Sequence, residues 1–203
     1  MKQKNILLFV IMLSVNNLYG QNIAVELSAM PGIHRQLFDP VFPKNNFQMN
    51  GGFFITKSFS NKFSLSTGLN TRILKSKRTY DTYYHGYYDH TDTVLTKRSY
   101  LELPLNCGYK WNGFYVRGGI NINYLMGYLY QFNNEIESKQ KPNDMNLLLG
   151  LNMNVGYQIK LAEQWYINSA IFYDYPILFS NPFKSPLMNY GLMVGLGYHL
   201  KSK

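Results

Sequence analysis

The chain has 203 residues, 20 Lys plus Arg against 11 Asp plus Glu, a net charge of +9 and a mean hydropathy of −0.23. After the first twenty residues no run approaches the ~18 apolar residues that a membrane-spanning helix needs, so a helical membrane protein is excluded. The cations are scattered over connections and segment ends, with no basic helix or recognition motif, and this excludes nucleic acid as the expected partner. One cysteine, Cys107, rules out an internal disulfide framework and reads as a small lipid-facing side chain.

Met1 to Gly20 has the order of a secretory signal peptide. Lys2 and Lys4 precede the apolar core Ile6 to Leu13, and a polar end closes on Gly20, placing the mature N-terminus at Gln21. The expected organisation is a signal peptide over 1–20 and one β-barrel domain over 21–203. No cysteine follows the core, which excludes a lipoprotein anchor.

From there the chain alternates with period two, the mark of a strand with two unlike faces. In the first strand Ile23, Val25, Leu27 and Ala29 oppose Asn22, Ala24, Glu26 and Ser28. The second runs from Phe47 to Lys57 and the third from Phe63 to Lys75, where Phe63, Leu65, Leu69 and Ile73 oppose Ser64, Ser66, Gly68, Asn70 and Arg72. The fourth, Tyr100 to Lys110, sets Leu101, Leu103, Leu105 and Cys107 against Glu102, Pro104, Asn106 and Gly108. Asn112-Gly113 is a strong hairpin signal before the fifth strand, Phe114 to Tyr128. The sixth, seventh and eighth follow over Met145 to Ile159, Trp165 to Tyr175 and Asn189 to Leu200.

Eight strands close an all-β, antiparallel, up-and-down transmembrane barrel with both termini on one side. Connections after the second, fourth and sixth strands are short, whereas 31–46, 76–99, 129–144 and 176–188 are long. Outer-membrane barrels have short periplasmic turns and long external loops, so both termini are expected in the periplasm. Pro104 lacks an N–H and should cause a bulge or a skipped ladder bond, which leaves the facing of Leu101 and Cys107 open.

A soluble lipocalin-like barrel is a rival, since it too is closed and alternating. Its exterior would need Lys and Glu, but the polar face here is Gly, Asn, Ser and Thr, and the other face is nearly free of charge. Trp111, Phe114, Tyr157, Trp165 and Tyr198 near one end, with Tyr100, Tyr128, Tyr130, Tyr175 and Tyr190 near the other, read as two interfacial girdles.

Ser99-Tyr100-Leu101-Glu102-Leu103-Pro104-Leu105, with Phe59-Ser60-Asn61-Lys62-Phe63-Ser64-Leu65 and Gly68-Leu69, resembles the PorT-like outer-membrane β-barrel family. The resemblance implies an eight-stranded barrel in the outer membrane of a Gram-negative bacterium. Some members of that family assist secretion or gliding machinery; fold and location are what the resemblance implies here.

Chemistry is sparse. His34, His85, His90 and His199 are not set with a nucleophile and an acid on strands, so no catalytic residue, cofactor or metal ligand is expected. The remaining rival is a lipid-modifying barrel enzyme. A cation held by His85, Asp89 and His90 is a lesser alternative to a solvated loop. By parity Glu26, Arg72, Glu102, Arg117 and Asp174 point into the lumen, where unpaired charge is costly. They should pair in two layers, Glu26 with Arg117 low and Arg72 with Glu102 and Asp174 higher, in a lumen without an open pore. Lys75, Lys77, Arg78, Lys97 and Arg98 gather at the external rim, where lipopolysaccharide phosphates lie. Tyr80, Tyr83, Tyr84, Tyr87 and Tyr88 form either a contact site or a self-packed loop. Expected partners are membrane lipid and lipopolysaccharide, the barrel-assembly machinery during insertion, and an unidentified envelope protein.

Overall fold

The computed structural model describes residues 23–36, 46–84, 87–133, 135–140, 147–179 and 187–200. The leader and its cleavage point lie outside these residues. Among the described residues there are nine strands: β1 (Ile23–Gln36), β2 (Asn46–Ser58), β3 (Phe63–Tyr84), β4 (Tyr87–Trp111), β5 (Phe114–Phe132), β6 (Glu135–Gln140), β7 (Leu147–Lys160), β8 (Trp165–Phe179) and β9 (Leu187–Leu200).

Eight of them make the ring β1-β2-β3-β4-β5-β7-β8-β9, in which β9 pairs back onto β1. Every pairing is antiparallel. The β1–β9 ladder runs from Ile23↔Leu200 to Gln36↔Leu187 and joins the two ends of the barrel domain. No ring strand therefore has a free edge, the condition for a sheet in hydrocarbon.

Tight connections gather at one end, called here the turn end. Asn112 and Gly113, with φ of 47° and 88°, make the β4–β5 hairpin, and both values match the left-handed positions of a type I′ turn. In the β2–β3 turn Ser60 Oγ accepts from the N–H of Lys62 at 3.2 Å and of Phe63 at 3.0 Å. Leu161 N donates to Trp165 O at 2.9 Å across the β7–β8 turn.

The two faces of each strand differ as the alternation requires. Leu27 is 69% and Ile171 64% exposed on the outside, whereas Asn168 and Glu102 inside are 0% and 2% exposed. An apolar outer surface on a closed ring is a lipid-facing surface, so the fold is an eight-stranded transmembrane β-barrel. Around the turn end the outer aromatics pair edge to face: Phe114–Tyr157 at 4.8 Å, Trp165–Tyr198 at 4.9 Å and Phe63–Tyr109 at 5.2 Å.

The structure departs from the sequence reading mainly at the ends away from the turns, where β1 runs on to Gln36 and β8 to Phe179 within the expected connections. The connection 76–99 is no loop: β3 and β4 continue as a ribbon, paired from Ser76↔Thr96 to Tyr84↔Tyr87. Within 129–144, β5 extends to Phe132 and β6 folds back on it, adding a ninth strand outside the ring. His34, expected in the first loop, is buried on β1, and Tyr100 is buried inside the barrel, not in a girdle. Tyr100 opposes Leu125, and the Ser99/Tyr100 step carries a β-bulge, with Met126 left over on β5. Pro104 leaves a gap in the β3–β4 ladder between Thr67↔Leu105 and Asn70↔Glu102, yet pairs with Asn121 on its β5 side. Parity survives the gap, and Cys107 is exposed on the lipid face.

Adjacent glycines on β5 test the facing. A Cβ on Gly119 would sit 1.9 Å from Leu105 O, whereas one on Gly118 finds its nearest atom, Asn152 O, at 3.8 Å. Gly118→Val should keep the gel-mobility difference between unboiled and boiled barrel, and Gly119→Val should abolish it. Equal behaviour of the two variants would contradict the assignment of faces.

Candidate functional site

The lumen is layered, and β8 displays the order. From the turn end its inward residues are Tyr166, Asn168, Ala170, Phe172 and Asp174, all buried. Asn168 Nδ2 donates to Glu26 Oε2, and Arg117 lies against the same oxygen at 3.5 Å. Arg117 also covers the ring of Tyr115, 4.6 Å from its centroid. This is the lower polar layer.

Above it Ala170 and Phe172 join Met30, Phe54, Tyr115 and Met193 in an apolar cluster. Next comes the upper ionic layer. Arg72 Nε lies 2.6 Å from Glu102 Oε1 in an ion pair, and its Nη2 donates to Asp174 Oδ2. Asn121 donates to Asp174 Oδ1 at 3.2 Å, and Asn152 donates to Asn121 Oδ1 at 2.7 Å. With its amide oxygen turned to Arg72, Asn50 accepts from Nε at 3.1 Å. One guanidinium therefore joins two carboxylates and an amide across the lumen, and its planar fork allows donation in several directions at once.

Two residues further along β3 and β4, Leu74 and Tyr100 meet Leu125, with Leu148 packed against them. They form a second apolar layer over the ions. All five lumen charges are buried, where a charge without a partner is costly.

Sequence parity supplied the five charges and an inward, Asn-rich face, but it did not name Asn121, Asn152 and Asn168 as partners of the acids, nor the apolar layers. The available signal was the residue type at inward positions: Asn recurs there, and Phe54, Leu74 and Leu125 interrupt an otherwise small and polar face.

At the other end the five basic residues separate. Lys75 and Lys97 are cross-strand partners, and Lys77 lies two residues beyond Lys75 on the same outer face. Arg98 opposes the inward Leu74 and lies over the Tyr128 ring at 5.9 Å. Arg78 is placed by backbone register opposite Val94. The five tyrosines lie on the ribbon tip, with Tyr83↔Tyr88 and Tyr84↔Tyr87 in register and Tyr87 80% exposed.

The ribbon is braced from the side. Asn133, in the left-handed region at φ 45°, accepts from Thr93 N at 2.8 Å, donates through Nδ2 to Asp92 at 2.8 Å and bonds through its own N–H to Thr93 O at 2.9 Å. His90 lies between Asp89 at 2.8 Å and Asp92 at 3.3 Å. The Asp89 hydrogen bond and then the Asp92 charge raise its pKa above the ordinary 6.5. His85 lies outside the described residues, and among those described no group of three or more His, Cys, Asp and Glu is placed to hold a metal.

No protein-family model matches the sequence, and no curated protein matches it significantly. Among solved structures the chain is similar to Ail, the attachment invasion locus protein of Yersinia pestis, in complex with the heparin analogue sucrose octasulfate. The identity is 10%, 89% of this chain and 100% of that one are covered, and the TM-score is 0.48. A major outer membrane protein from Thermus thermophilus gives 12%, 88%, 99% and 0.48 in the same order. The outer membrane protease OmpT from Escherichia coli gives 10%, 88%, 97% and 0.41.

Two outcomes follow from the site. Arg72→Met strands Glu102 and Asp174 and should cost about 3–5 kcal/mol in urea unfolding from bilayers, while adding Glu102→Leu and Asp174→Leu recovers a large part of it. For His90 a raised folded-state pKa means that its contribution to ribbon order is complete below pH 6.5 and is lost as pH rises through the folded value. An NMR titration should give His90 a pKa above 6.5, and Asp89→Asn should lower it.

Proposed function

We propose that the protein is an integral outer-membrane β-barrel of a Gram-negative envelope, acting as a sealed surface element and not as a pore or an enzyme. The apolar outer surface around a lumen filled by alternating ionic and apolar layers carries this reading. In it, residues 1–20 are a signal peptide, the termini and turn end face the periplasm, and the β3–β4 ribbon projects from the cell. The Tyr100 to Leu105 motif supports placement among the PorT-like barrels. Insertion from the periplasm would engage the barrel-assembly machinery.

Surface interaction is the task that the ribbon supports. Its tip presents tyrosine-rich register pairs, and tyrosine supplies rigid area with a polar end. Below the tip, Lys75, Lys77 and Lys97 share the outward face at the rim of the apolar surface. Like charges directly opposite one another, as Lys75 and Lys97 are, destabilise a bare ladder. An anionic surface reverses that penalty, at about 1 kcal/mol gained per cation, and lipopolysaccharide phosphates supply such a surface.

Fractionation should recover the protein in the outer membrane; recovery from the soluble periplasm would refute the reading. Lys75→Gln, Lys77→Gln and Lys97→Gln together should reduce co-purified lipopolysaccharide without loss of heat-modifiable mobility. Arg98→Gln, on the opposite face, should leave it unchanged. Retention by the triple variant would exclude the lysine face as a phosphate site.

A further inference from the structure

The turn end carries a feature that a sealed barrel does not need. A cavity of about 60 Å³ opens there between the β2–β3 turn and the floor of the lumen. Three basic residues line it, Lys62, Lys110 and Arg117, together with His199. Among the described residues, none that lines it is Asp or Glu. Like charges are held together by structure: Lys110 N donates to Lys62 O at 2.7 Å, and Lys110 Nζ is drawn inward by a hydrogen bond to Gln158 Oε1. Glu26, deeper in the lumen, is already engaged by Arg117 and Asn168.

A second observation points into the same space. Tyr115 and Thr56 line the cavity, are 5% and 7% exposed, and their hydroxyls have no hydrogen-bond partner. A buried hydroxyl without a partner costs free energy, and a native structure keeps one where something else completes it. Two hydroxyl donors and three cations around a space far smaller than the ~300–1,000 Å³ of a drug-sized site fit a compact tetrahedral oxyanion. Arg and Lys donors to such a group form charge-assisted bonds, stronger than neutral ones.

We propose that this vestibule is a binding site for a phosphate group, with Lys62, Lys110 and Arg117 supplying charge and the Tyr115 and Thr56 hydroxyls completing its coordination. Two sources carry this chemistry, free phosphate or a soluble phosphomonoester, and a phospholipid headgroup of the adjoining leaflet. The site is separate from the lysine face at the opposite rim and does not depend on it.

The test uses the full-length mature barrel refolded in a neutral maltoside detergent. Inorganic phosphate is titrated with phosphorus NMR line broadening as the readout, and short-chain phosphatidate is titrated in a parallel arm. Saturable broadening is expected. Lys62→Gln with Lys110→Gln should weaken it by about tenfold or more, Tyr115→Phe should weaken it severalfold, and Lys110→Arg should retain it. Lys75→Gln with Lys77→Gln, at the other end, should change nothing. Tighter binding of phosphatidate would identify the lipid headgroup as the source, and tighter binding of phosphate the soluble one. Each variant is checked for heat-modifiable mobility, and Tyr115→Phe removes one oxygen only, so it keeps the proposal testable if a lysine variant does not fold. Absence of saturable broadening with both probes in the folded parent, or equal binding by parent and folded variants, would overturn the proposal.

Discussion

Hydrocarbon offers no hydrogen bond to a backbone amide, so a sheet survives in lipid only when its last strand finds its first. In this chain that closure is the β1–β9 ladder, in which Ile23 meets Leu200. Much else follows from it. A closed ring has an inside and an outside, and a strand's period of two must place alternate side chains on each. The outside meets lipid and becomes apolar; the inside of eight strands is just wide enough to be filled by side chains. Polar residues on the inner face therefore have to satisfy one another.

Arg72 shows how that requirement shapes the interior. A guanidinium removed from water is tolerable only with acceptors at close range, and Glu102, Asp174 and Asn50 arrive from three other strands. A pairing among four strands fixes their relative register more tightly than any local contact could. The apolar layers on each side exclude water and strengthen the ion pairs, since electrostatic interactions grow as the local dielectric falls. The same low dielectric makes loss of one partner costly. Interior charge in this barrel is a registry device as much as a source of stability.

The barrel was legible in the sequence wherever one face meets lipid, because there the alternation is between apolar and polar residues, as in Phe63 to Ile73. Beyond the bilayer both faces meet water, the contrast vanishes, and a strand no longer announces itself. For that reason residues 76–99 read as a loop although β3 and β4 continue through most of them, built of Thr, Tyr and Val that favour extended backbone. By residue type Tyr100 suits a girdle, but its parity, shared with Glu102, points inward, where it is buried. Parity placed the five interior charges on one side. Height above the tight turns assigns them to two paired layers, because the ladders run without a bulge from the turns as far as Glu102 and Asp174; the bulges at Ser99/Tyr100 and Leu149/Gly150 lie beyond them, and no composition reveals those. The vestibule at the turn end was hidden for a similar reason: Lys62, Lys110, Thr56 and Tyr115 come from four strand ends and turns, and only closure brings them together.

The central claim is that stacked ionic and apolar layers seal the lumen, so that the barrel spans the membrane without conducting through it. Planar-bilayer recording of the purified barrel tests this most directly. The layered lumen predicts a silent membrane at all moderate voltages, with no steady ohmic steps. A stable, large conductance that scales with the number of inserted barrels would contradict it, because ions would then be crossing where Arg72, Glu102 and Asp174 are joined.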